Sequence, residues 1–352
     1  MKTIHVPASS EYDVLVERGL LRRCGELIRA VCRGQTAAVI SDETVWAIYG
    51  ETVAKSLRDS GFHVVDITFP AGEKEKTLET YAQVIRTLAS ERLTRSDCVV
   101  ALGSGVVGDL AGFAAATYMR GIDFVQIPTT LLAAVDSSVG GKTAVDLPEG
   151  KNLAGCFYQP RMVLCDPDTI ETLSSEQFRS GMAEIIKYGM IADEAFLESL
   201  LETDAKEQLE EVIAACVAMK RDVVAKDEFE NGERRILNFG HTVGHAVELC
   251  RTFAISHGDA VAIGMTVLTR AAVRRGICGE ETLKLLLEAL RKYQLPLETD
   301  CTADELSAAA LSDKKRSGSK LHVVVPERVG HCRIEPIPAE EFRQWLLEGG
   351  IV

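Results

Sequence analysis

A chain of 352 residues exceeds what a single hydrophobic core usually organises, so two domains are expected. Its 46% hydrophobic and 26% charged residues are ordinary globular values. The net charge of −13 argues against a nucleic-acid or anionic-membrane partner, since both want a basic face. Ten scattered cysteines without a C-x-x-C pair, no apolar signal-peptide core and no uncharged run long enough for a bilayer point to a cytoplasmic protein with free thiols.

The first half alternates strand-like and helix-like pieces. Strands are predicted within "TAAVISDETV" (36–45), "HVVDITFP" (63–70), "DCVVALG" (97–103), "FVQIPTT" (124–130) and "RMVLCDP" (161–167). Between them lie helical runs such as 75–91, with Leu78, Tyr81, Val84, Ile85 and Leu88 on one face. Apolar strands alternating with helices mean a parallel sheet covered on both sides. Beyond about residue 172 nearly everything is helical, apart from a hairpin pattern in "KLHVVVPERVGHCRIEPI". The expected plan is a Rossmann-like α/β domain over 1–172 and a mostly α-helical domain over 173–352.

"VVALGSGVVGDLAGF" contains G-x-G-x-x-G at Gly103, Gly105 and Gly108, between the strand 97–103 and a helix predicted over 109–119. Glycines there let backbone approach a pyrophosphate at a helix N-terminus. The usual dinucleotide fingerprint fits poorly, because two strand–helix units precede it and Asp123, at the right distance for the ribose acid, begins a strand. A turn that merely lets the helix pack closely is the competing reading.

The segment 127–157 is richer in small and polar residues than a core element needs. Thr129 and Thr130 end a strand; Asp136, Ser137 and Ser138 lead to Gly140, Gly141 and Lys142; Lys151 and Asn152 follow. Two lysines and an asparagine on glycine-rich loops suit an anion. The P-loop pattern fails, because its first glycine would fall on Asp136.

"NFGHTVGHAVE" sets His241 and His245 at i, i+4, yet Thr242 stands where a zinc protease has its glutamate. His257 opens a further helix, and Glu184 and Lys187 lie at i, i+3 on a largely apolar one. Any one histidine alone reads as a core or capping residue. A buried Glu needs a partner, and Glu with two His is a set for a catalytic divalent ion with open positions. Lys220, Glu230, Arg234 and Asn238 lead into His241, and Lys314 and Lys315 come later. An acidic chain that gathers cations beside its histidines is built for an anionic substrate.

Seven motifs in order resemble the 3-dehydroquinate synthase family, across nearly the whole chain: "PAGEKEKTLE", "GSGVVGDLAGFAAATYMRGI", "PTTLLAAVDSSVGGKTAVDLPEGKNLAGCFYQP", "GMAEIIKYGMI", "LNFGHTVGHAVE", "HGDAVAIGM" and "DKK". The resemblance implies the fold of that family and an NAD-dependent, metal-dependent lyase of the shikimate pathway. It would convert 3-deoxy-D-arabino-heptulosonate 7-phosphate to 3-dehydroquinate and phosphate by transient oxidation, elimination, reduction and intramolecular aldol closure. It implies NAD on Gly72, Glu73, Lys76, Gly105, Val106, Val107, Gly108, Asp109, Thr129, Thr130, Lys142, Lys151, Thr169, Ile170, Glu171 and Thr172. Zinc or cobalt would sit on Glu184, His241 and His257. Lys142, His245, Glu230 and Asp136 would serve catalysis, and Asn152, Lys187, Lys220, Arg234, Asn238 and Lys314 would hold the phosphorylated sugar acid. Arg120 would reach the neighbouring site of a homodimer. Two departures stand out: Ser104, where the family has a further glycine, is expected to restrict the backbone, and Asp259 replaces a common Glu. The rival readings are a sibling sugar-phosphate cyclase, a metal- and NAD-dependent polyol dehydrogenase and a non-catalytic nucleotide-binding relative.

Overall fold

The computed structural model describes the chain apart from Phe253, residues 315–319 and the side chains of 312–314. It divides into two compact units, one of residues 1–173 with 209–229, the other of 174–208 with 230–352.

The first unit is built on strands β1 (Lys2–Val6), β2 (Tyr12–Val16), β3 (Thr36–Asp42), β4 (His63–Phe69), β5 (Cys98–Gly103), β6 (Asp123–Pro128), β7 (Lys142–Leu147), β8 (Gly150–Phe157) and β9 (Met162–Cys165). Seven of them form one sheet in the order β1-β2-β9-β6-β5-β3-β4, parallel except for the β1–β2 pair. Alternate residues of each central strand feed opposite layers. Ala37, Val39, Val100 and Leu102 pack with Ile28, Val53 and Leu57, while Ala38, Ile40, Val99 and Ala101 pack with Val84, Leu88, Val107 and Leu110. Each valine, leucine or isoleucine among them contributes about 2 kcal/mol through removal from water, and each alanine less.

This two-sided burial is why the strands read as unbroken apolar runs. The helix Glu51–Asp59 after β3 lies in the first layer, and helix α1 (Gly105–Thr117) after β5 lies in the second. The carboxyl ends of β3 and β5 therefore flank a topological switch point, where α/β sheets bind ligands.

β7 and β8 form a separate antiparallel hairpin. Where glycine-rich loops are expected, Lys142, Lys151 and Asn152 lie on strands. The polar and glycine content hid a short buried stretch, Thr143, Ala144 and Val145. Helix α3 (Leu209–Lys226), though embedded in the helical half of the sequence, packs on β1, β2 and the turn Ala133–Ser137.

The second unit is helical, with α2 (Ser175–Ala192), α4 (His241–Cys250) and α5 (His257–Arg274) at its centre. A hairpin of β10 (Lys320–Arg328) and β11 (His331–Pro338) packs on it. Among the described residues no helix is long and apolar enough to cross a membrane. All ten cysteines are free thiols.

Candidate active site

β5 hands over to α1 through Ser104 alone, so the helix begins at Gly105, four residues before the predicted start. The missing side chains explain this. A Cβ on Gly105 would stand 2.9 Å from Ser137 Oγ, and one on Gly108 would stand 2.7 Å from Gln126 Oε1. The glycines thus serve close packing; as at any helix start, the first-turn N–H groups of Gly105, Val106 and Val107 have no helical acceptor, which makes the turn a ready anion cradle. Ser104 has φ −73°, an ordinary value, so the expected backbone restriction is absent.

Beside this turn, Thr129 donates its N–H to the Gly103 carbonyl at 2.9 Å. Its Oγ1 is buried with no hydrogen-bond partner among the described residues, as befits an atom that awaits a ligand. Thr130 Oγ1 accepts the Ala133 N–H at 3.2 Å.

Gly72, at φ +117°, opens the turn that delivers Glu73 and Lys76. The Lys76 ammonium is buried 2.6 Å from Asn152 Oδ1, 3.1 Å from Glu73 and 3.2 Å from Asp109. Burial works against its charge, but Asp109, Glu73 and Asp146 outweigh that and raise its pKa. Burial likewise pushes Asp109 up to about 6, against the pull of Lys76. The turn Pro167–Thr172 is pinned by Tyr49, 2.8 Å from Thr172 Oγ1, and by Arg18, 2.8 Å from Glu171 Oε1; Thr169 and Ile170 are buried.

In the same unit, Lys220 of α3 donates to the Asp136 carbonyl at 2.7 Å and to its carboxylate at 2.9 Å. Lys142 is exposed at the start of β7. Asn152 sits at φ +57°, held by its N–H to Asp146 at 2.8 Å. Arg120 is exposed in a turn where Met119 and Arg120 both have positive φ, +50° and +69°.

The second unit gathers the predicted metal ligands. Glu184 on α2 is fully buried, with Lys187 one turn later touching its carboxylate. His241 Nε2 lies 3.5 Å and His257 Nε2 3.3 Å from Glu184 Oε1. The donor atoms of Glu184, His241 and His257 all lie within 4.8 Å of one another. A buried carboxylate with two imidazoles is a donor set for a borderline divalent ion such as zinc or cobalt. Burial pushes His241 down to about 3 despite Glu184. Burial also opposes the charge on His257, but Glu184 and Glu248 overcome it and push it up to about 10.

Helix starts set this geometry. His241 opens α4, and its Nδ1 lies 3.1 Å from the Phe239 carbonyl. Ser256 caps α5 at the Asp259 N–H, and Asp259 accepts both donors of Arg179 from α2 at 2.9 Å. The shorter acid at this departure is thus fully engaged. His245 is exposed, its ring centroid 5.4 Å from that of His241. Asn238 donates to Glu230 at 2.8 Å, and Arg234 is buried in the turn Glu233–Asn238. Lys314 ends the helix Ala303–Lys314, but its side chain and all of Lys315 lie outside the described residues.

One residue escaped the sequence reading. Glu248 is buried on α4 and forms a second donor group with His245 and His257. Its signal was its spacing, seven after His241 and three after His245 on one helix face.

Family models described as the N-terminal and C-terminal parts of 3-dehydroquinate synthase match residues 66–180 and 181–316. The chain belongs to the 3-dehydroquinate synthase family. It is accordingly a lyase acting on a phosphate-bearing substrate. Proteins named 3-dehydroquinate synthase include one from Enterococcus faecalis, 46% identical over 99% of both chains. One from Clostridium acetobutylicum is 42% identical over 98% of this chain and 99% of its own. Among solved structures, 2-deoxy-scyllo-inosose synthase, complexed with carbaglucose-6-phosphate, NAD+ and Co2+, superposes with TM-score 0.87 at 27% identity, covering 99% of this chain and 100% of that one. 2-epi-5-epi-valiolone synthase from Streptomyces hygroscopicus, with NAD+ and Zn2+ bound, gives 0.86 at 29% over 96% of each. An NADH-dependent butanol dehydrogenase from Thermotoga maritima shares the fold at 0.69 and 16% identity, over 99% of this chain and 98% of that one.

Proposed function

We propose that the chain carries out 3-dehydroquinate synthesis with NAD and one divalent ion, and that the residues gathered above divide the work. The observation that carries this reading is the convergence of Glu184, His241 and His257, with Lys187 against the same carboxylate. These three side chains hold the ion. The first turn of α1, Thr129 and the Lys76–Asp109 pair hold the dinucleotide. When bound, NAD+ accepts and later returns a hydride, and the divalent ion polarises the oxygen at the oxidised carbon.

The remaining steps fall to the chain's own groups. Lys187, Lys220, Arg234, Asn238, Asn152 and Lys142 neutralise and orient the carboxylate and phosphate of 3-deoxy-D-arabino-heptulosonate 7-phosphate; Lys314 belongs with them by motif. Lys220 also fixes Asp136, so that acid keeps a defined orientation. Oxidation acidifies the neighbouring C–H, and phosphate then leaves by elimination. His245, the exposed histidine of the cluster, moves protons at its imidazole. Lys142 and Glu230 complete the catalytic set. After reduction and ring opening, an intramolecular aldol closes the carbocycle, its rate resting on orientation.

The dimer is part of the proposal. Met119, Leu153 and Phe157 are large apolar side chains left exposed in the unit that bears Arg120. Tyr158 donates to the Ile122 carbonyl at 2.7 Å, which sets the end of β8 beside the Met119–Gly121 turn. A second copy covering this face would receive Arg120 at its own site. Ten free thiols fit a cytoplasmic location. A sibling cyclase is disfavoured by 46% identity to a 3-dehydroquinate synthase against 27–29% to the other cyclases. The test is phosphate release from the seven-carbon substrate. The holoenzyme should release it, and removal of NAD or addition of EDTA should stop it; release unaffected by EDTA would refute the metal assignment.

A further inference from the structure

His241 and His257 point Nε2 at the same oxygen of Glu184, and each keeps its Nδ1 occupied. For His241 the Nδ1 partner is the backbone carbonyl of Phe239, at 3.1 Å. For His257 it is the carboxylate of Glu248, at 3.5 Å. Glu248 is 5% exposed, and a carboxylate that deep needs a donor. It stands on the α4 face that carries His241 and His245, so one helix supplies a ligand and grips another ligand from α5. Packing reinforces the grip: a Cβ on Gly244 would stand 3.1 Å from the Ala260 backbone, so α4 and α5 touch between the two residues.

We propose that Glu248 is a positioning residue for the divalent ion: it accepts the Nδ1–H of His257 and thereby presents the Nε2 lone pair of that ring to the metal. This rests on the metal reading of Glu184, His241 and His257. A carboxylate acceptor fixes the ring tautomer and makes the imidazole a stronger donor than a backbone carbonyl does. The two histidine ligands are therefore unequal, with His257 the more basic partner. The competing arrangement, in which Glu248 is itself a ligand alongside His245 and His257, would turn the Nδ1 of His257 to the ion. The Nε2 that faces the buried Glu184 would then not be a ligand.

The test uses the full-length, metal-free chain without NAD or substrate. Zn2+ and Co2+ are titrated against a chelator of known affinity, for the wild type and for Glu248→Ala, Glu248→Gln, Glu184→Ala and His241→Ala. Thermal unfolding of each chain is followed in parallel. Glu248→Ala should weaken Zn2+ binding by about 10- to 100-fold, and Glu248→Gln, which keeps an acceptor oxygen without the charge, should fall between it and the wild type. The Co2+ absorption bands should keep their shape in both. If the alanine variant fails to fold, the glutamine variant decides alone, by weaker Zn2+ binding at an unchanged Tm. Zn2+ affinity within twofold of wild type in the folded Glu248 variants would overturn the proposal, whatever their Tm. So would altered Co2+ bands with Glu184→Ala still binding, which would make Glu248 a ligand. Wild-type affinity in both Glu184→Ala and His241→Ala would instead reject the metal reading itself.

Discussion

Gly264 lies so close to Gly240 that a Cβ on it would stand 1.9 Å from the Gly240 carbonyl oxygen. Gly240 itself sits at φ +81°, where a side chain would meet Met265 and the Val261 carbonyl at 2.6 Å. This contact brings the start of α4, and hence His241, to α5 and His257. Gly264→Ala should cost about 3 kcal/mol in urea unfolding and weaken zinc binding with it. Gly279→Ala, where a Cβ would meet open space, should stay within about 0.5 kcal/mol. Equal stabilities for the two variants would contradict the packing account.

Lys76 ties three carboxylates to Asn152. Lys76→Met would leave Glu73, Asp109 and Asp146 facing one another and would release the β8 strand at Asn152. The Kd for NAD+, measured by titration calorimetry, should rise about tenfold, the scale of one charged hydrogen bond. An unchanged Kd would remove Lys76 from the cofactor site.

Asp97 ties the start of β3 to the start of β5. It accepts the N–H groups of Thr94, Thr36 and Gln35 at 2.6, 2.8 and 2.9 Å and the Thr94 hydroxyl at 2.7 Å. Burial alone would raise its pKa, but these bonds outweigh it and hold the carboxyl below its usual range. The resulting stability is fully present above about pH 4 and fades as pH falls through the depressed value. Asp97→Asn should therefore cost about 2 kcal/mol at neutral pH. In urea unfolding, the gap to wild type should narrow towards about pH 3. A gap independent of pH would show that the charge contributes nothing.

Arg120 provides a test of the dimer. An Arg120→Ala chain and a Lys142→Ala chain, each inactive alone, should regain activity when unfolded together and refolded as a mixture. Each mixed dimer then holds one intact site, so about a quarter of wild-type activity is expected from random pairing. No recovery would mean that Arg120 serves its own subunit or none.

Much of the fold was legible because local chemistry and tertiary role coincide. Val99, Val100 and Leu102 read as a two-sided strand and are one; the C-terminal hairpin was equally plain in its valines. The helix starts at Gly105, ahead of its predicted start; glycine is a poor helix former, and only contact with Ser137 and Gln126 explains its use there. The α3 helix shows an amphipathic face but not what covers it, so its packing on β1 and β2 could not be read from its own residues. Glu184, His241 and His257 were legible as a trio because each is costly or rare in its setting. Glu248 was not, because an acid beside histidines gains meaning only once His257 arrives from another helix.

The most direct test of the central claim follows phosphate and NADH in one reaction, with the zinc-loaded chain, catalytic NAD+ and excess 3-deoxy-D-arabino-heptulosonate 7-phosphate. The account predicts one phosphate released per substrate consumed, many turnovers per NAD+, and no growing absorbance at 340 nm. Phosphate retention with NADH rising until the NAD+ is spent would contradict it and make the chain a dehydrogenase.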